Sequence, residues 1–329
     1  MRKISISLVT TMLYFDLMQI IWGKKNHALG PYKTVVTIGN FDGVHLGHQA
    51  LISRVKSISL NRGLKSVVMT FEPHPTNILF PEKTLKTITS LGERGQLVQI
   101  LGIDFFYVQP FSRELSQLSP EEFFRQILIS NLGVQILLVG HDFSFGKNRQ
   151  GTLEVLGKLC QSHGVDLEVF GPFKINDEIV SSSAIRRAVE TTNVVKAEKF
   201  LGRPFSLIGI VEKGAGRGKK IGFPTANLFT TNELLPSTGV YFTQTEVHGT
   251  SFRSLTNVGI NPTFNTPNKR PIQIETFILD FDEDIYGDQI KVEFLEYIRP
   301  EIKFSSVEDL ISKIKEDVER AMRYQWKRK

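Results

Sequence analysis

The feature that most constrains this chain is a change of pattern partway along it. From Thr34 to about Phe170, short apolar runs alternate with amphipathic stretches. The runs are Thr34–Ile38, Ser66–Phe71, Phe105–Val108, Ile136–Val139 and Leu167–Phe170, and the stretches include Gln49–Ser59, Gly92–Leu101, Pro120–Ile129 and Leu153–His163. Strands separated by helix-length segments predict a parallel sheet with helices on its faces, an α/β domain. After about Leu201 no helix of any length intervenes. Phe205–Glu212, Gly239–Val247, Phe252–Val258, Ile272–Leu279 and Gln289–Tyr297 are β-rich and separated by Gly, Pro or Asn clusters. That pattern predicts antiparallel strands in a sandwich or small barrel. A final helix is expected from Ser306 to about Tyr324. Val307, Leu310, Ile311, Ile314, Val318, Ala321 and Met322 recur there at helical spacing, with Ser306 as N-cap and Asp309 as an imperfect capping-box partner. The boundary falls near Leu201–Pro204, after a short helix at Val194–Phe200, giving two domains, 18–200 and 201–325.

Composition narrows the function classes. The 329 residues hold one cysteine, Cys160, which excludes an internal disulfide and a four-cysteine zinc site and suits a reducing, cytoplasmic setting. The formal charge of +6 is spread along the chain, with its densest cluster in the short tail Arg320–Lys329. A nucleic-acid binder concentrates its charge or interleaves it with aromatics, so anionic small substrates are the better reading. Near the start, the apolar run Ile4–Phe15 follows Arg2 and Lys3, but Asp16 interrupts it and no small-residue cleavage site follows before Lys24. Neither export nor a membrane span is expected from it, since a span needs about 20 apolar residues.

Two segments carry chemistry. The first is Ile38-Gly39-Asn40-Phe41-Asp42-Gly43-Val44-His45-Leu46-Gly47-His48. A buried strand ends, a glycine turn follows and a helix begins near Leu46, so backbone amides and the helix dipole make an anion site. His45 and His48, three apart, place both rings on one face of the first turn, and Gly47 leaves room for a ligand at the backbone. Imidazoles there can donate to phosphate oxygens as charge builds on a leaving pyrophosphate. Two histidines alone are also compatible with half a metal site or with surface residues. Phe71-Glu72-Pro73-His74-Pro75 and Gly140-His141-Asp142-Phe143-Ser144-Phe145-Gly146 follow neighbouring strands, at the strand ends where open α/β sheets bind ligands. Ser181-Ser182-Ser183-Ala184-Ile185-Arg186 places hydroxyls at a helix start and an arginine in its first turn, a further polyphosphate contact.

The second segment, Lys213-Gly214-Ala215-Gly216-Arg217-Gly218-Lys219-Lys220-Ile221-Gly222-Phe223-Pro224-Thr225-Ala226-Asn227, has glycines that either cradle phosphates or form a hairpin turn. Their spacing matches neither common glycine-loop signature. Thr225 and Asn227 are two apart, so on an extended segment both oxygens face one way and can help hold Mg²⁺ with substrate phosphates. On the strand containing Glu275, Ile272, Ile274, Thr276 and Ile278 share the other face, which leaves Glu275 as either a general base or a solvated residue.

The four motifs of the first half, in order, resemble the nucleotidyltransferase half of prokaryotic bifunctional riboflavin kinase/FAD synthetases. The Gly-rich run, Gly222–Asn227, Gly239–Phe242, Asn257–Phe264 and Glu275–Gly287 are similar to the riboflavin kinase module of the same family. The resemblance implies a Rossmann-like α/β nucleotidyltransferase domain followed by a six-stranded antiparallel β-barrel with a C-terminal helix. It implies that riboflavin is phosphorylated by ATP and that FMN is then adenylylated to FAD. His45, His48, Ser182 and Arg186 would handle the ATP phosphates with the turn Gly39, Phe41, Asp42 and Gly43, while Asp142 and Phe145 would serve the FMN side. Gly214 and Gly218 would lie along the kinase phosphates, Thr225 and Asn227 would coordinate Mg²⁺·ATP, and Glu275 would take the proton of the riboflavin 5′-hydroxyl. Ser183 stands where threonine is usual, Arg94 where lysine is frequent and Phe277 where histidine is common. Met18–Gly23 is similar to the usual beginning of family members, so Met1–Leu17 is expected to be dispensable. A homo-oligomer is compatible with all of this. Rival readings are a flavin-sensing protein without kinase activity, a nucleic-acid binder, and an adenylyltransferase for another phosphorylated substrate. Since Mg²⁺ is normally held together with substrate phosphates, a chelator should abolish both flavin-converting reactions and added Mg²⁺ should restore them. Stoichiometric zinc in the purified protein would contradict this.

Overall fold

The computed structural model describes residues 18–23, 29–214, 216, 218, 221–260 and 272–324; Met1–Leu17 and part of the Gly-rich run lie outside them. The chain forms two compact units. The first comprises residues to Asn40, Gln49–Thr84 and Leu91–Gly171, and the second comprises Phe41–His48, Leu85–Ser90 and the chain from Pro172 onward. The units therefore do not divide at a single point near Leu201. Ile185, Ala188, Val189, Val194, Ala197, Phe200 and Leu201 share one buried cluster with Phe205, Leu207, Val292 and Phe294, so the two helices Ser182–Glu190 and Val194–Leu201 group with the strands that follow them.

The first unit is built on a six-stranded sheet ordered β1-β4-β3-β2-β5-β6. Its strands are β1 Gln19–Trp22, β2 Thr34–Ile38, β3 Lys65–Glu72, β4 Phe105–Pro110, β5 Val134–Gly140 and β6 Asp166–Phe170. All its pairings are parallel, as the spacing of the runs requires. β2 is buried at every position, the mark of a central parallel strand covered on both faces. β1 was not legible in the sequence pattern; its four residues pair with β4 at the sheet edge. Where a regular helix is expected over Pro120–Ile129, the chain makes one Ser119-capped α-turn and then winds with the wider i→i+5 pattern over Phe124–Asn131.

In the second unit, after the short ribbon β7 Lys174–Ile175 and β8 Glu178–Ile179, six strands close an antiparallel barrel in the order β10-β13-β12-β11-β14-β9. They are β9 Phe205–Glu212, β10 Ala226–Thr230, β11 Gly239–Val247, β12 Thr250–Ile260, β13 Ile272–Ile278 and β14 Gln289–Arg299. The period-2 alternation holds: Ile274, Thr276 and Ile278 are buried, while Gln273, Glu275 and Phe277 on the opposite face are partly exposed. The core is not wholly apolar. Thr245, Ser254, Thr243, Thr256 and Thr276 are fully buried and form a chain of hydroxyl hydrogen bonds of 2.8–3.0 Å across β11, β12 and β13.

The last helix runs Val307–Arg323, with the Ser306 hydroxyl accepting from the Asp309 amide as expected. The sequence stripe overstates its packing. Ala321 is buried against Phe242, Leu255 and Leu279, with Val318 beside them, but Val307 and Met322 are more than half exposed. An ion pair does much of the anchoring: Arg299 Nε and Nη2 donate to Asp317 Oδ2 at 2.8 and 2.7 Å, and Asp317 is only 2% exposed. Removing one partner of a buried pair strands the other charge, at a cost of about 3–5 kcal/mol. Arg299→Ala should therefore lower the urea midpoint severely. The double replacement Arg299→Met/Asp317→Leu should recover most of that loss; a double variant as unstable as the single one would contradict this account.

Candidate active sites

The turn after β2 is strained and tightly held. Phe41, Gly43 and Val44 all have positive φ, at 48°, 80° and 37°. Gly43 adopts this conformation freely, but a β-branched valine there is an outlier that persists only when its surroundings hold it. The Val44 amide closes the turn on the Phe41 carbonyl at 3.0 Å. The main support is Asp42, whose carboxylate is 1% exposed and accepts from the Ile88 amide at 2.9 Å, from the Thr89 amide at 3.2 Å and from Arg186 Nη2. Arg186 Nε also donates to the Lys86 carbonyl, and the Ser182 hydroxyl donates to the Asp42 carbonyl at 2.9 Å. The Thr89 hydroxyl accepts from the Gly43 amide at 3.0 Å.

These bonds change the expected anion cradle. The Gly39 amide donates to the Met69 carbonyl and the Gly43 amide to Thr89, so both are engaged within the protein. Asp42, saturated and negative, orients the turn and cannot itself attract a phosphate. The space at Gly47 is filled rather than open, because a Cβ there would lie 3.2 Å from both the His45 ring and Phe173. The same turn also carries two imidazoles. His45 and His48 stack with ring centroids 3.5 Å apart and an interplanar angle of 16°, and the edge of Phe41 supports His48. His45 Nδ1 accepts from the His48 amide at 3.3 Å, which leaves the proton on Nε2 as a donor. Burial lowers the His45 pKa to about 4, and burial with His45 alongside holds His48 well below the usual range, so both rings are neutral at pH 7. His48 Nδ1 is buried with no hydrogen-bond partner among the described residues, the kind of orphan that a ligand satisfies.

In the first unit, Arg94 carries more than its place in the sequence suggested. Its buried guanidinium donates to the Asn40 carbonyl at 3.0 Å, to the Thr70 hydroxyl at 3.3 Å and to Glu72 at 2.6 Å. Asp142 is exposed in the loop after β5. Phe145 is buried, stacks on the less buried Phe143 at 5.5 Å and packs on Phe123.

The barrel holds the second constellation on its outer face. Asn227 on β10 lies directly across from Glu275 on β13, and Gln273 Nε2 donates to Asn227 Oδ1 and to Glu275 Oε1, both at 2.8 Å. Gln273 was missed in the sequence, although the two-residue spacing to Glu275 puts both on one face. Gly214 lies against the Asn227 amide so closely that any side chain would collide with it, and a Cβ on Gly218 would lie 3.3 Å from the Thr225 hydroxyl. Gly214 thus lies against Asn227 and Gly218 against Phe223 and Thr225. No cluster of three His, Cys, Asp or Glu able to hold a metal occurs among the described residues. Two neutral oxygens beside one carboxylate fit a hard cation shared with substrate phosphates, and do not fit an all-protein cage.

Residues 29–184 match the FAD synthetase family and residues 201–325 the riboflavin kinase family. The bifunctional riboflavin kinase/FMN adenylyltransferase of Bacillus subtilis is 38% identical over 89% of this chain and 92% of its own. The enzyme of the same description from Escherichia coli K12 is 35% identical over 91% and 96%. A solved structure from Streptococcus pneumoniae, named as a macrolide-efflux protein, has a TM-score of 0.85 at 32% identity and covers 94% of this chain and 99% of that one. Its name describes that protein; among the described residues here, no helix is long and apolar enough to cross a membrane. With both family matches in sequence order and relatives alike over nearly their whole length, the chain belongs to the bifunctional riboflavin kinase/FMN adenylyltransferase family, whose two reactions make FMN from riboflavin and FAD from FMN.

Proposed function

We propose that the two reactions are divided between the two constellations with no shared residue. On the barrel, Glu275 takes the proton of the riboflavin 5′-hydroxyl, whose oxygen attacks the γ-phosphorus of ATP and releases ADP. Asn227 and Gln273 orient the carboxylate, and Gly214 and Gly218 let the backbone close over the phosphates. Thr225 and Asn227 would hold Mg²⁺ together with those phosphates, and the ion would supply charge neutralisation. The observation that carries this assignment is the hydrogen-bonded Asn227–Gln273–Glu275 row.

At the strained turn, an oxygen of the FMN phosphate attacks the α-phosphorus of ATP and pyrophosphate leaves. That nucleophile needs no activation, so the work is placement and stabilisation of the departing charge. His45 donates through Nε2, His48 supplies the second imidazole, and the Ser182 amide at the helix start and Arg186 Nη1 bind the phosphates, since the Ser182 hydroxyl and Arg186 Nε and Nη2 are engaged within the protein. Asp42 acts by holding Arg186 and the turn. Asp142 and the Phe143–Phe145 pair serve the flavin, and the protein works in the cytoplasm, where a buried Cys160, its thiol raised to about 11, stays reduced.

The two chemistries should separate by residue. Glu275→Gln should cost riboflavin phosphorylation about 10²- to 10⁴-fold while supplied FMN is still converted to FAD. His48→Ala should cost adenylylation about 10²- to 10³-fold and accumulate FMN. Loss of riboflavin phosphorylation in folded His48→Ala would refute the division.

The neutral His45 also has a signature in stability. The unfolded chain takes up its proton below pH 6.5 while the folded chain holds off until about 4. Stability present above pH 6.5 is thus lost as the pH falls through that window, by up to about 3 kcal/mol. Urea midpoints measured from pH 7.5 to 4.5 should fall less steeply in His45→Gln than in the parent chain. Equal slopes would show that the ring is not desolvated in solution.

A further inference from the structure

The turn that carries the histidines is held by a second cation besides Arg186. Arg203 stands between the end of helix Val194–Leu201 and the first residue of β9, Phe205. Its Nη2 donates to the Gly43 carbonyl at 2.8 Å and its Nη1 to the Val44 carbonyl at 3.4 Å. The same Nη1 reaches the Leu201 carbonyl at 3.4 Å, so one planar fork ties the helix end to the turn. Both carbonyls belong to residues with positive φ. The Val44 carbonyl lies in the peptide plane that includes His45 N and Cα, so fixing it fixes the point from which the His45 side chain starts.

Strain of this kind must be over-determined by neighbours. Asp42 and Thr89 hold the first half of the turn, through Ile88, Thr89 and the Gly43 amide. Among the bonds described, those to the carbonyls of the second half come from Arg203. Its charge has a further effect: burial is the main cause that lowers the His45 pKa, and Arg203 pushes in the same direction against Asp42.

We infer that Arg203 is a positioning residue for adenylyl transfer, holding the Gly43–Val44 carbonyls so that the His45 imidazole is presented to the ATP phosphates. This rests on the reading that His45 contacts those phosphates. A lysine cannot replace the fork, since one ammonium lacks the planar pair of donors. The role differs from a purely structural one, because the barrel's outer-face row of Asn227, Gln273 and Glu275 does not include Arg203.

The test uses the full chain with Arg203→Ala, Arg203→Lys and, separately, His45→Ala. Misplacement of a catalytic group by about 1 Å costs on the order of 10²-fold, so Arg203→Ala should lower kcat for FMN adenylylation by about that factor. KM for ATP should change only a few-fold, and riboflavin phosphorylation should keep its kcat. Arg203→Lys should show the same split with an unchanged Tm, and millimolar guanidinium should partly restore adenylylation in Arg203→Ala. Parental adenylylation in Arg203→Ala, or loss of both reactions in step with Tm in both variants, would overturn the inference. Full adenylylation in His45→Ala would instead refute the reading of His45 on which it rests.

Discussion

The geometry of the turn that bears His45 and His48 depends on a buried carboxylate. Asp42 is withdrawn from water and is stable there only because two amides, a hydroxyl and a guanidinium satisfy it. Those donors come from far along the chain: Ile88 and Thr89 lie 46 and 47 residues away and Arg186 lies 144 away. Each is fixed in turn by the bond it makes. Every bond that satisfies this charge also restrains the turn. The result is a valine and a phenylalanine kept in left-handed backbone next to two stacked imidazoles.

The barrel uses the pleat in the opposite way. Its inner face keeps apolar residues and the five-membered chain of hydroxyls, while the hydrogen-bonded row of Asn227, Gln273 and Glu275 stands on the outer face. One residue of register separates the two, since a slip by one would bury Glu275 and expose Ile274. The hydroxyl chain opposes such a slip. Thr243, Ser254, Thr256 and Thr276 bond across three strands only in the native register, and an unpaired buried hydroxyl is costly. The arrangement of Glu275 beside Asn227 is thus secured from the far side of the sheet.

The two units also differ in how the chain reaches them. The first consists of a parallel sheet whose loops are donated elsewhere: Phe41–His48 and Leu85–Ser90 leave it and group with the later half. In the second, Glu233 accepts from the Thr87 amide and hydroxyl, both at 2.7 Å, and Arg203 grips Gly43 and Val44. Residues just before and within the barrel therefore support the segment that bears His45.

Much of this was legible in the sequence. Spacing gave five of the six parallel strands, because alternation of apolar runs with helix-length stretches leaves few other solutions, and period-2 alternation placed Glu275 and Ile274 on opposite faces. The edge strand Gln19–Trp22 escaped because four residues with no covered face carry too weak a pattern. Candidate site residues stood out as types at spacings, His45 with His48 and Thr225 with Asn227, although His45 lies just before the helix Leu46–Arg62 and Thr225 just before β10. The partners did not. Thr89, Arg203 and Gln273 bear no local mark, and nothing local shows that Arg186 also bonds Asp42. The sequence by itself determined which elements form and which side chains face a common side, because both follow from local periodicity. Only the tertiary structure decided which amides are engaged within the protein and which carboxylate is buried, because hydrogen bonds between residues tens to hundreds of positions apart depend on packing that no local pattern records.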